Sequence, residues 1–430
     1  MKTAAFYTLG CKVNQYETEA VEELFEKEGY TVVPFAEKAD CYIINTCSVT
    51  SMSDRKSRQM IRRAKKTNPD ALIAVMGCYS QTAPDDVLAI NGVDLVLGTK
   101  DKASVVRLMG TLKKGDKLNA VTDIRDNHCF EELTVRKYDG RTRAYIKIQD
   151  GCSQFCSYCI IPYARGPVRS RPEHEITDEV AQLAAKGYKE VILTGIHAAA
   201  YGQDLGTSLG ELLNKLDKTD GIERIRLSSI EPMTLDREFI DKIRGCKKLC
   251  PHFHISLQSG CDETLRRMNR HYTTEEFADI VSGLREAFPG CAITTDIMVG
   301  FAGETDDEFE KTLEFINRIG FADAHVFQYS RRRGTPAARR PDQVAPEVKE
   351  ARSKAVLAAT SASHAKFLKD ALGTTAEVLF ETKTKDGYYE GKTPNYITVR
   401  VRSDADICGQ ILNTELISAE NGTIFGKTVD

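Results

Sequence analysis

Two long stretches of this 430-residue chain alternate short apolar runs with amphipathic helical periods, and that alternation limits the fold more than any other feature. Strands separated by helices must be parallel, and a parallel sheet is covered on both faces. In the first stretch the apolar runs fall at residues 4–9, 41–45, 72–77 and 95–97, with helices predicted over 17–27 and 53–65. This predicts a doubly wound α/β domain over residues 1–110. Residues 111–140 lack clear periodicity and read as a linker. A second alternation follows, with strands predicted at 144–148, 190–194, 224–227, 252–257, 292–298 and 324–328. Six βα units suit an open (β/α)6 barrel over residues 141–370, with its site at the carboxyl ends of the strands. An Ala-, Lys- and Glu-rich helix over 344–372 stops at Gly373. Residues 371–430 change to short β-like segments at 376–380, 396–401, 409–412 and 414–418, which predict a small all-β barrel.

Hydrophobic residues make up 41% and charged residues 28%, the balance of a soluble globular protein, and no apolar run approaches the roughly 20 residues that span a bilayer. The amino terminus enters a strand-like stretch at once, with no apolar leader region, so a cytoplasmic protein is expected. The net charge of -3 conceals two basic runs: residues 55–66 hold seven Lys and Arg and no acid, and residues 331–340 hold five Arg. Such runs neutralise phosphates or form solvated helix faces.

Thirteen cysteines are many for a reducing compartment, where thiols persist as metal ligands, catalytic groups or small apolar residues. Cys152, Cys156 and Cys159 form C-x3-C-x2-C directly after the first barrel strand. Three close thiolates hold three irons of a 4Fe-4S cube and leave the fourth iron open to a small molecule. A structural zinc site, the alternative, would require a fourth ligand. Cys11, Cys47 and Cys78 each follow an apolar run of the first domain. Parallel strands converge at their carboxyl edge, so these three are a plausible second cluster site despite their separation in sequence. Cys41 begins its strand and reads as core, and Cys129, Cys246, Cys250, Cys261, Cys291 and Cys408 read as packing or surface residues.

The central spacing, with Tyr158 before the third cysteine, resembles the signature of the radical S-adenosylmethionine superfamily. The whole chain resembles the methylthiotransferase family through Thr8-Leu9-Gly10-Cys11, Asn45-Thr46-Cys47, Gly77-Cys78, the central motif with Ile160-Ile161-Pro162-Tyr163-Ala164-Arg165-Gly166, and Ser256-Leu257-Gln258-Ser259-Gly260. The resemblance implies a terminal β-barrel of the TRAM type, two 4Fe-4S clusters, and S-adenosylmethionine used both as radical source and as methyl donor. It implies one of three substrates: a threonylcarbamoyl- or isopentenyl-bearing adenosine beside the tRNA anticodon, or an aspartate of a ribosomal protein. Thr194-Gly195-Ile196-His197 and the Arg165–Arg171 stretch are most similar to the branch that methylthiolates C2 of N6-threonylcarbamoyladenosine at position 37 of tRNA, although Ala198-Ala199-Ala200 departs from it. Expected partners are the anticodon stem-loop, a sulfur source and a reductant such as flavodoxin or ferredoxin. A non-catalytic Fe-S or Zn RNA-binding protein is the alternative of another class.

Glu231, Gln258 and Asp296 occupy barrel positions suited to the ribose and methionine ends of the cofactor, and Tyr158 to its adenine. Arg165, Arg169 and Arg171 are candidates for phosphate or a substrate carboxylate, because the guanidinium fork matches both. His197 is either a substrate-pocket group or a hydrogen-bonded structural histidine. The terminal β segment carries six basic residues against nine acidic ones, so the RNA backbone is expected to meet the two basic runs instead.

Overall fold

The computed structural model describes residues 2–136 and 142–429, so the expected boundary at 140/141 lies outside the described residues. Six parallel strands build the first sheet, in the spatial order Thr31–Val32, Thr3–Thr8, Cys41–Thr46, Leu72–Gly77, Leu95–Val96, Leu118–Asn119. Apolar side chains alternate to both faces and meet helices there, giving one core around Ile44, Ile61 and Val75 and another around Val21, Phe25 and Ile43. Cys41 is buried in the second of these cores, as its place at the start of a strand predicts.

Residues 111–140 do more than link. Leu118–Asn119 adds the edge strand, and Ile124, Leu133 and Val135 are buried. Short strands and isolated apolar anchors carry no periodicity, which is why the stretch looks featureless in sequence. The helix predicted over 17–27 begins earlier, at Lys12, and runs to Lys27. Its first turns bury Asn14 and Glu17, polar residues paired inside the protein, so hydrophobic periodicity could not mark them.

The barrel consists of two three-stranded parallel sheets, Arg143–Lys147, Glu190–Thr194, Arg224–Leu227 and then His252–His254, Ala292–Val299, Asp323–Gln328. Parallel bridges Ile225–Leu249 and Ile230–Ile255 join them into one open six-stranded wall in chain order. The helix Pro346–Ala371 closes the last strand, with Ser363 Oγ donating to Phe321 O at 2.6 Å. The glycine-rich turn after the fifth strand is structural: Gly300 N–H donates to Glu304 at 2.6 Å, and Glu304 pairs with Arg352 at 2.6 Å.

The carboxyl-terminal segment is a closed five-stranded barrel. Two of its strands, Tyr389–Lys392 and Thr423–Thr428, escaped the sequence reading because glycine and lysine interrupt their alternation. It docks on the amino-terminal end of the large barrel. There Arg224 donates to Lys392 O and Glu377 O, both at 3.0 Å, Arg226 donates to Pro394 O at 2.9 Å, and Arg143 pairs with Glu381 at 2.9 Å.

Candidate active site

Thr3–Thr8, Cys41–Thr46 and Leu72–Gly77 are adjacent strands in register, so the residues that follow them converge at one edge. Cys11, Cys47 and Cys78 stand there. Gly10 has φ +109°, and a methyl group on it would lie 2.8 Å from Cys47 Cβ, so only glycine lets the Cys11 turn approach Cys47 this closely. Burial pushes the Cys78 thiol up to about 11, with Arg165 opposing and Cys47 and Cys11 reinforcing the shift. These thiols feel one another, and they ionise when a metal replaces the proton.

The second triad lies on the loop after the first barrel strand. Gly151 has φ +77°, and a side chain there would collide with Pro167 O at 1.8 Å. Beyond it the loop is held from outside: Cys152 N–H donates to Gly166 O at 3.0 Å, Ser157 N–H to Met268 O at 2.8 Å, and Asn269 Nδ2 to Phe155 O at 3.0 Å. Phe155 takes φ +47°, an uncommon conformation for a side-chain-bearing residue, and Cys159 N–H closes on Cys156 O at 2.9 Å. The sulfurs receive N–H donors, Arg270 Nη1 to Cys156 and Ile161 N to Cys159, each at 3.4 Å. Burial raises the Cys152 thiol to about 11, with Cys156 and Glu231 adding to the effect. Each triad has the donor chemistry of a three-cysteine iron-sulfur site, soft thiols backed by N–H groups and one coordination position left over.

Two cavities adjoin these triads, each lined by one of their cysteines. The first, of about 540 Å³, is lined by Tyr158, Cys159, Gln258 and Asp296, and by Val49 and Thr50 just past Cys47. Three of the four residues expected to meet the cofactor therefore share one cavity with Cys159. Gln258 is fixed there with φ +65°, its N–H bonded to Asp296 O at 2.8 Å. Glu231, the fourth, pairs instead with Arg270, the guanidinium that also reaches Cys156. The second cavity, of about 630 Å³, is lined by Cys11, Lys12, Ser228, His252, His254, His325 and Tyr396, and shares Asp296 and Phe327 with the first. Asp296 Oδ2 lies 3.3 Å from His254 Nε2 and Oδ1 lies 3.3 Å from His325 Nδ1, and despite its burial these contacts hold its carboxyl well below the usual range.

The three arginines expected to meet phosphate or carboxylate do not face the cavities. Arg165 is fully buried, with Glu17 at 2.6 Å, Asp150 at 3.1 Å, Asn14 at 2.5 Å and Cys78 Sγ at 3.4 Å. Arg169 donates to Arg165 O at 2.8 Å and Pro167 O at 2.9 Å, and Arg171 is held by Glu175 at 3.1 Å and by Glu179. A run of arginines shows its charge in sequence but not its partners, and here the partners are internal. His197 is buried, its N–H bonded to Gln149 at 2.8 Å and its Nε2 left without a partner.

Sequence reasoning missed Lys12, the first residue of a helix directly after Cys11, and Arg270, His252, His254 and His325, which are polar residues on a loop and two strands with no motif around them. It also missed how the basic runs meet. Arg332 is not free for RNA: it is buried against Asp54 at 2.8 Å and Ser48 at 2.7 Å. That pairing, with Ser51 Oγ and Ser330 Oγ 3.2 Å apart, brings the two runs side by side. Arg55, Lys56, Arg62, Arg63, Arg331 and Arg333 remain exposed beside the Val49–Ser330 rim of the first cavity. Exposed apolar side chains, Val49, Met52, Phe155, Tyr163 and Phe327, stand around the same region.

Comparison with known proteins agrees with this geometry. Residues 146–316 match the Radical SAM superfamily, and residues 3–98 match the Uncharacterized protein family UPF0004. The threonylcarbamoyladenosine tRNA methylthiotransferase MtaB of Bacillus subtilis (strain 168) is 43% identical over 97% of this chain and 94% of its own length. The MtaB protein of Thermotoga maritima is 38% identical over 92% of this chain and 91% of its own. A tRNA-2-methylthio-N(6)-dimethylallyladenosine synthase of Pelotomaculum thermopropionicum is 36% identical, over 99% and 97%. Among solved structures, the radical S-adenosylmethionine methyltransferase TsrM from Kitasatospora setae, with cobalamin and a [4Fe-4S] cluster bound, shares the fold with a TM-score of 0.60 at 16% identity, over 78% of this chain and 77% of that one.

Proposed function

The chain belongs to the radical S-adenosylmethionine methylthiotransferase family, and from that premise we propose that it methylthiolates C2 of N6-threonylcarbamoyladenosine at position 37 of tRNA. The observation that carries the reading is two cysteine triads beside two adjoining cavities, Cys159 lining one and Cys11 the other. In this reading Cys152, Cys156 and Cys159 hold one 4Fe-4S cluster and Cys11, Cys47 and Cys78 the other. When bound, the clusters and S-adenosylmethionine supply radical C–H activation, the sulfur and the methyl group. The chain's own residues bind and orient: Tyr158, Gln258 and Asp296 line the cofactor cavity. Arg270 and Arg165 each place a guanidinium N–H 3.4 Å from a cysteine sulfur. The walls exclude water from the reacting atoms.

The tRNA backbone lies along the exposed arginines and lysines of the joined basic runs, and the apolar rim receives unstacked bases of the anticodon loop. No helix among the described residues is long and apolar enough to cross a membrane, and the protein works in the cytoplasm with a low-potential reductant, flavodoxin or ferredoxin, and a sulfur source.

Mass spectrometry of tRNA nucleosides from a strain lacking the gene tests the reading. Loss of the methylthio group from threonylcarbamoyladenosine, restored by the gene, is the expected result. Loss from the dimethylallyl nucleoside alone, or from neither, overturns it. Anaerobically reconstituted protein given dithionite and S-adenosylmethionine should release 5'-deoxyadenosine, which a non-catalytic RNA-binding protein would not.

A further inference from the structure

The lining of the second cavity includes polar groups that its own residues do not satisfy. Among the described residues the Lys12 ammonium makes no hydrogen bond or ion pair, and it stands 5.8 Å from the centre of the Tyr145 ring. At the floor, Tyr396 reaches in from the small barrel, stacked on His252 at 4.6 Å, with Arg226, Lys392 and Arg143 at 4.7, 4.8 and 5.7 Å from its ring. Glu190 takes Arg226 at 2.7 Å and Glu381 takes Arg143 at 2.9 Å. Lys12 and Lys392 are left without a carboxylate. The lining also carries Asp296 and Asp323, so its charges balance in number; Lys12 is nonetheless a cation that none of these carboxylates pairs with, and an anion is the ligand it suits.

Neutral polar groups are also left over. Among the described residues Ser228 Oγ and His252 Nδ1 have no partner, although Ser228 is only 8% and His252 only 7% exposed. His252 Nε2 meets Thr294 Oγ1 at 3.2 Å, so Nδ1 is the ring atom left for a partner from the cavity. The cavity asks for an anion together with hydrogen-bonding groups.

We propose that this cavity is the subsite for the N6 side chain of the substrate nucleoside, an amino-acid carboxylate with hydroxyl and amide groups: Lys12 takes the carboxylate, and Ser228 and His252 take the neutral polar groups. The inference rests on the threonylcarbamoyl reading above and adds what selects that substrate. A dimethylallyl side chain would leave all three groups unpaired, and a site built to bond polar groups rejects such an analogue strongly. Lys12 directly follows Cys11, so recognition of the side chain and placement of the auxiliary triad lie on one turn of backbone.

The oxyanion bound by Lys12 has two sources, the side-chain carboxylate or a backbone phosphate of the RNA, and binding separates them. Anticodon stem-loops carrying threonylcarbamoyladenosine, dimethylallyladenosine or unmodified adenosine are titrated against the full chain and its Lys12→Met, Lys12→Arg and Ser228→Ala variants at several salt concentrations. Lys12→Met should weaken the threonylcarbamoyl loop roughly 10- to 100-fold and leave the unmodified loop and its salt slope unchanged. Lys12→Arg should recover part of the loss, and Ser228→Ala, away from the Cys11 turn, should cost the same loop a smaller factor. Equal weakening of all loops, with the salt slope reduced by about 0.7, would assign Lys12 to a phosphate and overturn the proposal. So would an unchanged preference in both Lys12→Met and Ser228→Ala. Product analysis with reconstituted wild-type protein keeps the two readings apart: methylthiolated threonylcarbamoyladenosine with a preference indifferent to Lys12 sinks only the subsite, whereas product on the dimethylallyl loop alone sinks both.

Discussion

Arg165 and Arg270 each bring a guanidinium N–H to 3.4 Å from a cysteine sulfur, one at each triad, so each triad has a built-in counter-charge. In the proposed reading the triads have separable tasks. Cys156→Ala should abolish 5'-deoxyadenosine release, whereas Cys47→Ala should keep that release and stop sulfur insertion, both followed by chromatography and mass spectrometry of nucleosides. Loss of cleavage in both variants would refute two separate centres. Glu17 is the most exacting single residue outside them. Burial alone would raise its carboxyl, but Arg165, Lys102 and Lys147 hold it down to about 2. Its folded value lies below the unfolded one, so its contribution is complete above about pH 4.3 and is lost as pH falls toward about 2. Glu17→Gln should cost ~3–5 kcal/mol in denaturant unfolding at neutral pH, and the gap from wild type should narrow only in that acid window. The cysteines were legible in sequence because three share a C-x3-C-x2-C spacing and the other three each follow an apolar run. Lys12 and His252 were not, because what distinguishes them is the partner each lacks, and that emerges only once the surrounding side chains are in place.

At the scale of elements, the open barrel and the parallel first sheet were readable because apolar runs alternate regularly with helical segments, although short strands such as Thr31–Val32 leave no run to see. The missed pieces share one physical cause. Lys12–Lys27 hides its first turns behind buried polar residues, and Leu118–Asn119 and Tyr389–Lys392 are too short or too interrupted for a period to show. The turns carrying the cysteines depend on backbone rather than side chains. Gly151→Ala must displace the Pro167 carbonyl that a side chain would meet at 1.8 Å, and it also forces alanine into φ +77°. We expect a loss of roughly 1–3 kcal/mol together with reduced iron incorporation, read by thermal unfolding and by iron and sulfide assay. A substitution at Gly187, which has open space around it at a similar φ of +89°, should show the backbone cost without the loss of iron.

For the whole molecule, the sequence separated two basic runs that the fold unites through Arg332 and Asp54. Reversing Arg62, Arg63 and Arg331 together should weaken binding of every anticodon stem-loop alike and reduce the salt slope by about 0.7 for each phosphate no longer neutralised, whatever the modification at position 37. Unchanged affinity and slope would move the RNA to another face. The ionic cluster behind the two triads has a consequence of a different kind. Lys147, Asp150, Arg165 and Arg169 belong to the barrel, and they carry three positive charges against one negative. Glu17, from the first domain, supplies a second carboxylate at 2.7 Å from Lys147 and 2.6 Å from Arg165, and Lys102 of the same domain joins it at 3.2 Å. Neither part is therefore a freely transferable module: expressed alone, the barrel would expose an unneutralised socket, and grafted onto a first domain without an acid at that place it would not seat. A shared electrical seam of this sort makes the two halves heritable only together.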